Sequence, residues 1–205
     1  MLTSLVGSEM CIRDRDCLAL SEAVDGAGKD YNSVFAVILG TGVGAGYVIE
    51  KKLISGPNKL TGEWGQNPIP GPMDEYEKSV KRHCGRVGAI EVFLSGPGLE
   101  NWYEFKTNNK KSSRDIVELY RNENNIALEI MDTYFERTAR AFSSFVNILD
   151  PDVIVCGGGM SEINEIYDIL PEKIIPYLAS DIFLTPIIKA KHGSSSGVRG
   201  AAHLW

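Results

Sequence analysis

The sequence is short of everything that would tie it to a membrane, to a nucleic acid or to a disulfide scaffold. It has no run of about 18 apolar residues, so no helical membrane span is expected. Basic residues are in deficit, 21 against 27 acidic, and the net charge of −6 argues against a binder that relies on a broad basic surface. Cysteine is scarce. Cys11, Cys17, Cys84 and Cys156 form no C-x-x-C pair and no even framework, and read as reduced thiols of a cytoplasmic protein. The histidines, His83, His192 and His203, are too scattered to suggest a ligand set by spacing. The start lacks a basic segment followed by an apolar core, so no cleavable signal peptide is expected. No internal repeat and no low-complexity tract occurs.

What remains is the composition of an ordinary globular chain. Hydrophobic residues make up 43%, aromatic residues 9% and charged residues 23% of 205 residues, enough for one domain or two small ones with a core that needs no staple. The profile suits a cytoplasmic protein that handles small molecules.

Leu5 to Asp14 (LVGSEMCIRD) shows neither a helical nor a strand period and resembles translated read-through of a transposon-end sequencing adapter. Residues 1–15 are therefore set aside as adapter-derived or disordered, and 16–205 are taken as the folded unit. A short helical spacing runs from Cys17 to Asp25. Val34 to Leu39 is a continuous β-rich run, read as a strand buried on both faces. The glycine-rich stretch Gly40 to Gly46 reads as a tight turn into Tyr47-Val48-Ile49, and a further turn leads to Leu53-Ile54, giving an antiparallel meander. Residues 56–90, with four prolines, read as loop. A helix is expected around 112–121. From Ile126 to Leu149, Ala127, Met131, Phe135, Ala139, Phe142, Val146 and Leu149 recur by threes and fours, one face of a long amphipathic helix stopped at Asp150-Pro151. A buried strand at Val153–Cys156, a helix near 162–175, a strand at 182–190 and a last helix from Ser196 complete the order. Three antiparallel strands followed by helix, strand, helix, strand, helix is the lobe pattern of ribonuclease H-like, actin/hexokinase-type α/β folds, with a mixed sheet.

Two glycine motifs carry candidate chemistry. Gly40-Thr41-Gly42-Val43-Gly44 fails as a dinucleotide fingerprint, because Ala45 and Tyr47 stand where the third glycine belongs and a strand follows instead of a helix. It is also no P-loop. It is either a plain hairpin turn or a nest of amides able to cradle phosphate. Gly157-Gly158-Gly159 lies at the carboxyl end of a strand, where ligands approach open α/β sheets, or is simply a tight turn. Gly193 to Gly197 matches the G-x-S-x-G nucleophile elbow, but no acid follows Ser195, so the triad reading is rejected and Ser196 is taken as a helix N-cap.

Six stretches in order, Asp16–Val24 (DCLALSEAV), Ile38–Gly46 (ILGTGVGAG), Gly62–Pro70 (GEWGQNPIP), Cys84–Gly98 (CGRVGAIEVFLSGPG), Val146–Ser161 (VNILDPDVIVCGGGMS) and Lys189–Trp205 (KAKHGSSSGVRGAAHLW), resemble the ROK family of repressors, open reading frames and sugar kinases. The last two look most like bacterial fructokinases within the family, with N-acetylglucosamine kinases somewhat further away. The resemblance implies ATP- and Mg²⁺-dependent phosphorylation of a hexose by a cytoplasmic enzyme that is a homodimer when intact, with neither membrane nor nucleic acid as partner of this segment. It implies that Gly40, Thr41 and Gly42, with Val43 and Gly44 beside them, hold ATP phosphates, that Gly158 and Gly159 pack against adenosine, and that Glu63, Gln66 and Glu91 meet sugar hydroxyls. The family's catalytic base falls in the register of Asp14, between Arg13 and Arg15, which are foreign to the motif and able to salt-bridge it away from the sugar.

The zinc motif departs from the family. G-E-x-G-H followed by C-x-C-G-x-x-G-C-x-E has Gln66 in place of histidine, and Arg82, Cys84 and Ala89 at the cysteine positions, so only Cys84 is kept and no structural zinc is expected. The resemblance further implies that the chain is the C-terminal lobe, lacking the N-terminal one, and inactive alone. A sugar-responsive repressor of the same family, with its helix-turn-helix upstream, is the alternative.

Overall fold

The computed structural model describes residues 14–82, 84–193 and 199–200. The elements run α1 (Asp14–Val24), β1 (Ser33–Leu39), β2 (Val43–Ile49), β3 (Lys52–Leu53), α2 (Glu75–Ser79), α3 (Glu91–Leu94), α4 (Gly96–Thr107), α5 (Ser113–Arg121), α6 (Asn125–Leu149), β4 (Val153–Gly157), α7 (Glu165–Lys173) and β5 (Ile187–Lys189), with short 3-10 turns at 63–66, 159–162 and 175–177.

One sheet in the order β3-β2-β1-β4-β5 organises the chain. β1 pairs antiparallel with β2 and parallel with β4, and β4 pairs parallel with β5, so the sheet is mixed as the element order predicts. Side chains alternate along β1. Val34 and Ala36 face α1, together with Leu18, Ala19, Val48 and Val155. Phe35, Val37 and Leu39 face the opposite side, in the larger core with Phe142 and Phe145 of α6. This period of two, buried on both sides, explains why β1 reads as an unbroken apolar run. Phe35 stacks on Phe145 with ring centroids 4.1 Å apart, and the indole of Trp64 meets Phe145 edge-on at 5.3 Å. That contact fastens the loop carrying Glu63 and Gln66 to the helix beneath it.

Helix α6 behaves as its spacing predicts: Ala127, Met131, Phe135, Ala139 and Phe142 are all buried. Asn124 caps its start by accepting from the Ala127 N–H, and Asp150 ends it in the left-handed region just before Pro151.

Several boundaries differ from the sequence reading. The glycine turn is shorter than expected. Gly40 N–H donates to Gly42 O and Leu39 pairs directly with Val43, so Val43 and Gly44 belong to strand β2. The last strand covers 187–189 instead of 182–190. Pro186 has no N–H to give, and Ile182 and Leu184 before it are exposed, so pairing with β4 begins only at Ile187. The helix expected near 162–175 is α7 over 165–173, flanked by two 3-10 turns. Residues 56–90 contain α2, closed by a capping box in which Asp74 and Glu77 each accept the other's backbone N–H. Helix α4 was not anticipated. The N-cap at Ser196, the helix expected from it, His83 and His203 lie outside the described residues apart from Arg199 and Gly200, which are helical.

Candidate functional site

The turn between β1 and β2 is the hub of the site. Gly96 N–H, in the first turn of α4, donates to Gly40 O at 2.9 Å, which brings the start of α4 against the turn. Ser95 caps α4 by accepting from Gly98 N–H, and Pro97 occupies its first turn. Gly40 and Thr41 thus stand beside the N-terminus of a twelve-residue helix, whose free amides and dipole favour an anion. Across from them lie Gly159 and Met160, at the end of β4. Between the two motifs opens a cavity of about 900 Å³, lined further by Glu100, Ser113 and Arg114. The two glycine motifs, far apart in sequence, therefore share one wall-to-wall space large enough for a nucleotide.

The two glycines after β4 play different parts. Gly158 has φ +90°, and a Cβ there would sit 2.5 Å from Leu39 O, so the position admits only glycine for packing reasons. Gly159 has open space where its Cβ would be, and lines the cavity.

Glu63 and Gln66 are placed by the G-E-x-G segment. Ala45 N–H donates to Gly62 O at 2.8 Å, which lays the segment along β2. Gly62 has φ +79°, and any Cβ would collide with Ala45 O at 1.7 Å, so glycine is what allows this approach. The segment then pairs with 88–90: Ile69 N–H donates to Gly88 O at 2.8 Å and Ile90 N–H to Asn67 O at 2.9 Å. This pairing brings Gln66 and Glu91 together. Glu91 Oε2 also accepts the Val43 N–H at 3.3 Å and faces Gly42, so the carboxylate touches the glycine turn itself.

Arginines occupy both carboxylates. Arg15, buried in α1, pairs its Nη1 with Glu63 Oε1 at 2.7 Å and lies 3.8 Å from Asp16. Asp14 is exposed at the start of α1, and Arg15 reaches Glu63 instead of bridging Asp14. Arg82 donates from Nε to Glu91 Oε1 at 3.0 Å and from Nη1 to Gln66 Oε1. Neither partnership is foreshadowed by composition or periodicity. The only signal is that arginines stand at 15 and 82, where the family pattern has other residues.

The donor set for zinc does not fit. Gln66, Arg82, Cys84 and Ala89 offer an amide, a permanent cation, one thiol and a methyl group, where a structural zinc needs four N or S donors. Among the described residues no cluster of three or more His, Cys, Asp or Glu could hold a metal ion. Cys84 is exposed, and its thiol is held below the ordinary value by the backbone hydrogen bond from Arg86 and by the charge of Arg82. Cys17 and Cys156 are buried free thiols, and burial pushes Cys156 up to about 12, which leaves it an inert core residue. Among the described residues no helix is long and apolar enough to cross a membrane.

The chain is 40% identical over 208 residues to the N-acetyl-D-glucosamine kinase of Vibrio atlanticus (strain LGP32), covering 99% of this chain and 69% of the relative. It is 38% identical over 195 residues to the N-acetyl-D-glucosamine kinase of Vibrio cholerae, covering 93% of this chain and 65% of that protein. The chain thus spans about two thirds of these curated relatives, and both are named for N-acetyl-D-glucosamine, not for the fructose that the tail motifs suggested. The fold matches a crystal structure of a ROK family glucokinase from Streptomyces griseus in complex with glucose and AMPPNP, with a TM-score of 0.81, 22% identity, and 94% of this chain and 66% of that one covered. The ROK family model matches residues 6–205, and the chain belongs to that family.

Proposed function

We propose that the chain is the nucleotide- and sugar-contacting part of an ATP-dependent hexose kinase that acts in the cytoplasm. One observation carries the reading. Gly40 and Thr41 of the turn line the nucleotide-sized cavity with Gly159, and just past the turn Val43 N–H donates to the carboxylate of Glu91. A transferable phosphate held at this turn lies between a nucleotide and a polyol, which is the placement that phosphoryl transfer requires. In this reading the amides of 40–42 and the start of α4 hold phosphate oxygens, and Gly158 and Gly159 let adenosine lie close to the backbone. Glu63, Gln66 and Glu91 orient sugar hydroxyls. Asp14 takes the proton of the attacking hydroxyl. Mg²⁺, when bound with ATP, neutralises phosphate charge.

The sugar is proposed to be an N-acetylated or plain aldohexose in preference to fructose, on the strength of the 40% identity to an N-acetyl-D-glucosamine kinase. Because the chain spans 65–69% of those relatives, turnover is assigned to the protein extended to their length, and the 205 residues alone are expected to bind without turning over. A homodimer is part of the reading.

The test is coupled ADP release by the extended protein with N-acetylglucosamine, glucose, mannose and fructose. The expected result is saturable, sugar-dependent release, lowest with fructose, and reduced about 10²–10⁴-fold by Asp14→Asn. Release that ignores the sugar, or none with any hexose, contradicts the reading.

A further inference from the structure

Loop 68–90 occupies the place of a metal-organised loop, yet its interior is built on arginine. Arg82 uses all three guanidinium nitrogens. Nε and Nη2 donate to Glu91 Oε1 at 3.0 and 2.9 Å, and Nη1 donates to Gln66 Oε1 and approaches Cys84 Sγ at 3.6 Å. Its side chain is only 12% exposed. The backbone beneath it is closed by Arg82 N–H to Arg86 O and Gly85 N–H to Arg82 O, both 2.8 Å, so the guanidinium has a fixed base. On the far side of the loop, Glu77 is buried and receives Arg137 Nε at 2.9 Å and Arg140 Nη1 at 3.0 Å from α6.

We propose that Arg82 is a positioning residue of the sugar site, doing with charge-assisted hydrogen bonds what a four-donor metal site would do for this loop. The inference rests on the sugar-kinase reading for the identity of the ligand, but not for the architecture. A guanidinium is charged at any working pH, so it repels a divalent cation from this spot, and its planar fork fixes two acceptors at once. The Arg82 bond to Gln66 Oε1 leaves the amide nitrogen, with its two hydrogens, as the group Gln66 offers a ligand. Glu91 Oε1 is likewise taken, while among the described residues Oε2 receives the longer bond from Val43 N–H. The pair therefore offers one donor group and one acceptor, a match for neighbouring hydroxyls of a pyranose. Because Glu91 also holds Val43, Arg82 links the sugar contacts to the phosphate turn.

The experiment uses the 205-residue chain, labelled with ¹⁵N, and its Arg82→Ala, Arg82→Lys and Gln66→His/Arg82→Cys/Ala89→Cys variants. Hexose and ATP affinities are measured by NMR titration, and zinc content by elemental analysis. The wild type is expected to contain no stoichiometric zinc and to keep its hexose affinity in chelator. Arg82→Ala is expected to weaken hexose binding about tenfold or more and ATP binding by much less. Arg82→Lys restores part of that loss, because a single ammonium replaces the charge but not the fork. The triple variant, with Cys84, supplies four donors and is expected to take up zinc. A zinc ion in each wild-type chain, removed by chelator with loss of folding, overturns the proposal, as does an Arg82→Ala variant that keeps full hexose affinity or loses ATP equally. If the wild type binds no hexose, the sugar-kinase reading fails. Arg82 is then decided by its own Nε–H resonance, which the proposal expects to be slow to exchange and to become fast in Glu91→Gln. A fast-exchanging Nε–H in the wild type sinks it.

Discussion

Glu63 is the residue at which an internal ion pair competes with the proposed sugar contact. Its carboxylate is 30% exposed and is held by Arg15, whose own Nε and Nη2 are buried without a hydrogen-bond partner. Arg15 also lies within ion-pair range of Asp16, and its removal takes one cation away from Glu63. Arg15→Ala is therefore expected to tighten hexose binding several-fold, roughly 1 kcal/mol, in an NMR titration, whereas weaker binding would show that Arg15 itself helps hold the sugar. Gly62 gives the opposite kind of prediction. Gly62→Ala must put a Cβ against Ala45 O in a left-handed conformation, and urea unfolding should show a loss of about 2 kcal/mol or more. Glu63, Gln66 and Glu91 were singled out in the sequence only through the ROK resemblance, on glycine-flanked motifs that are local. Their partners Arg15 and Arg82 were not. Each pairing joins segments distant along the chain, and no period or composition encodes it.

Among the elements, the short helix α2 is held by an ion-pair network in addition to the buried ring of Tyr76, which packs on Phe93 and Trp102. Glu77 is 1% exposed, accepts from Arg137 and Arg140, and closes the capping box with Asp74, while the Arg137 guanidinium lies 4.4 Å from the centre of the Trp102 ring. Removing one partner strands buried charge. Glu77→Ala should cost about 3–5 kcal/mol in urea unfolding and open loop 68–90 to proteolysis first. A loss below about 1 kcal/mol would mean that the network is solvated in solution. At the rim of the cavity, Arg121 grips Glu165 through two bonds of 2.7 and 2.9 Å, joining α5 to α7. The Arg121 hydrogen bonds hold the Glu165 carboxyl below its ordinary value. A depressed carboxyl stabilises the fold above its unfolded-state value and loses that contribution as pH falls through the folded one. Glu165→Gln should thus cost less than about 1 kcal/mol at neutral pH, with the difference vanishing on acidification. Helix α4 shows why an element can escape a sequence reading. Its pattern GPGLENWYEFKT buries only Gly96, Gly98, Leu99 and Tyr103, too thin a stripe for periodicity. The signal was at its start, where a capping serine precedes a proline in the first turn.

At the scale of the whole molecule, the mixed sheet follows from strands whose character was visible in the sequence. β1 from Val34 onward and β4 are apolar and pair in parallel at the centre, and β2 and β3 follow β1 by short turns. The last strand was overextended in the sequence reading because Ile182 and Leu184 are β-formers whose exposure only the tertiary structure decides. The fold brings the two glycine motifs to one cavity and sets Glu91 against the end of the turn between β1 and β2, with Gln66 joined to Glu91 through Arg82. The central claim of the proposed reading is that this turn separates a nucleotide from a hexose. The direct measurement is a pair of NMR titrations of the ¹⁵N-labelled chain and of Glu63→Gln and Glu91→Gln, one with N-acetylglucosamine and one with ATP. Hexose should shift the amides around 62–67 and 88–91, and ATP those around 40–42 and 158–160, with both substitutions weakening the hexose and sparing ATP. If no hexose shifts the first group, or if the two ligands displace each other from the same amides, the claim is contradicted.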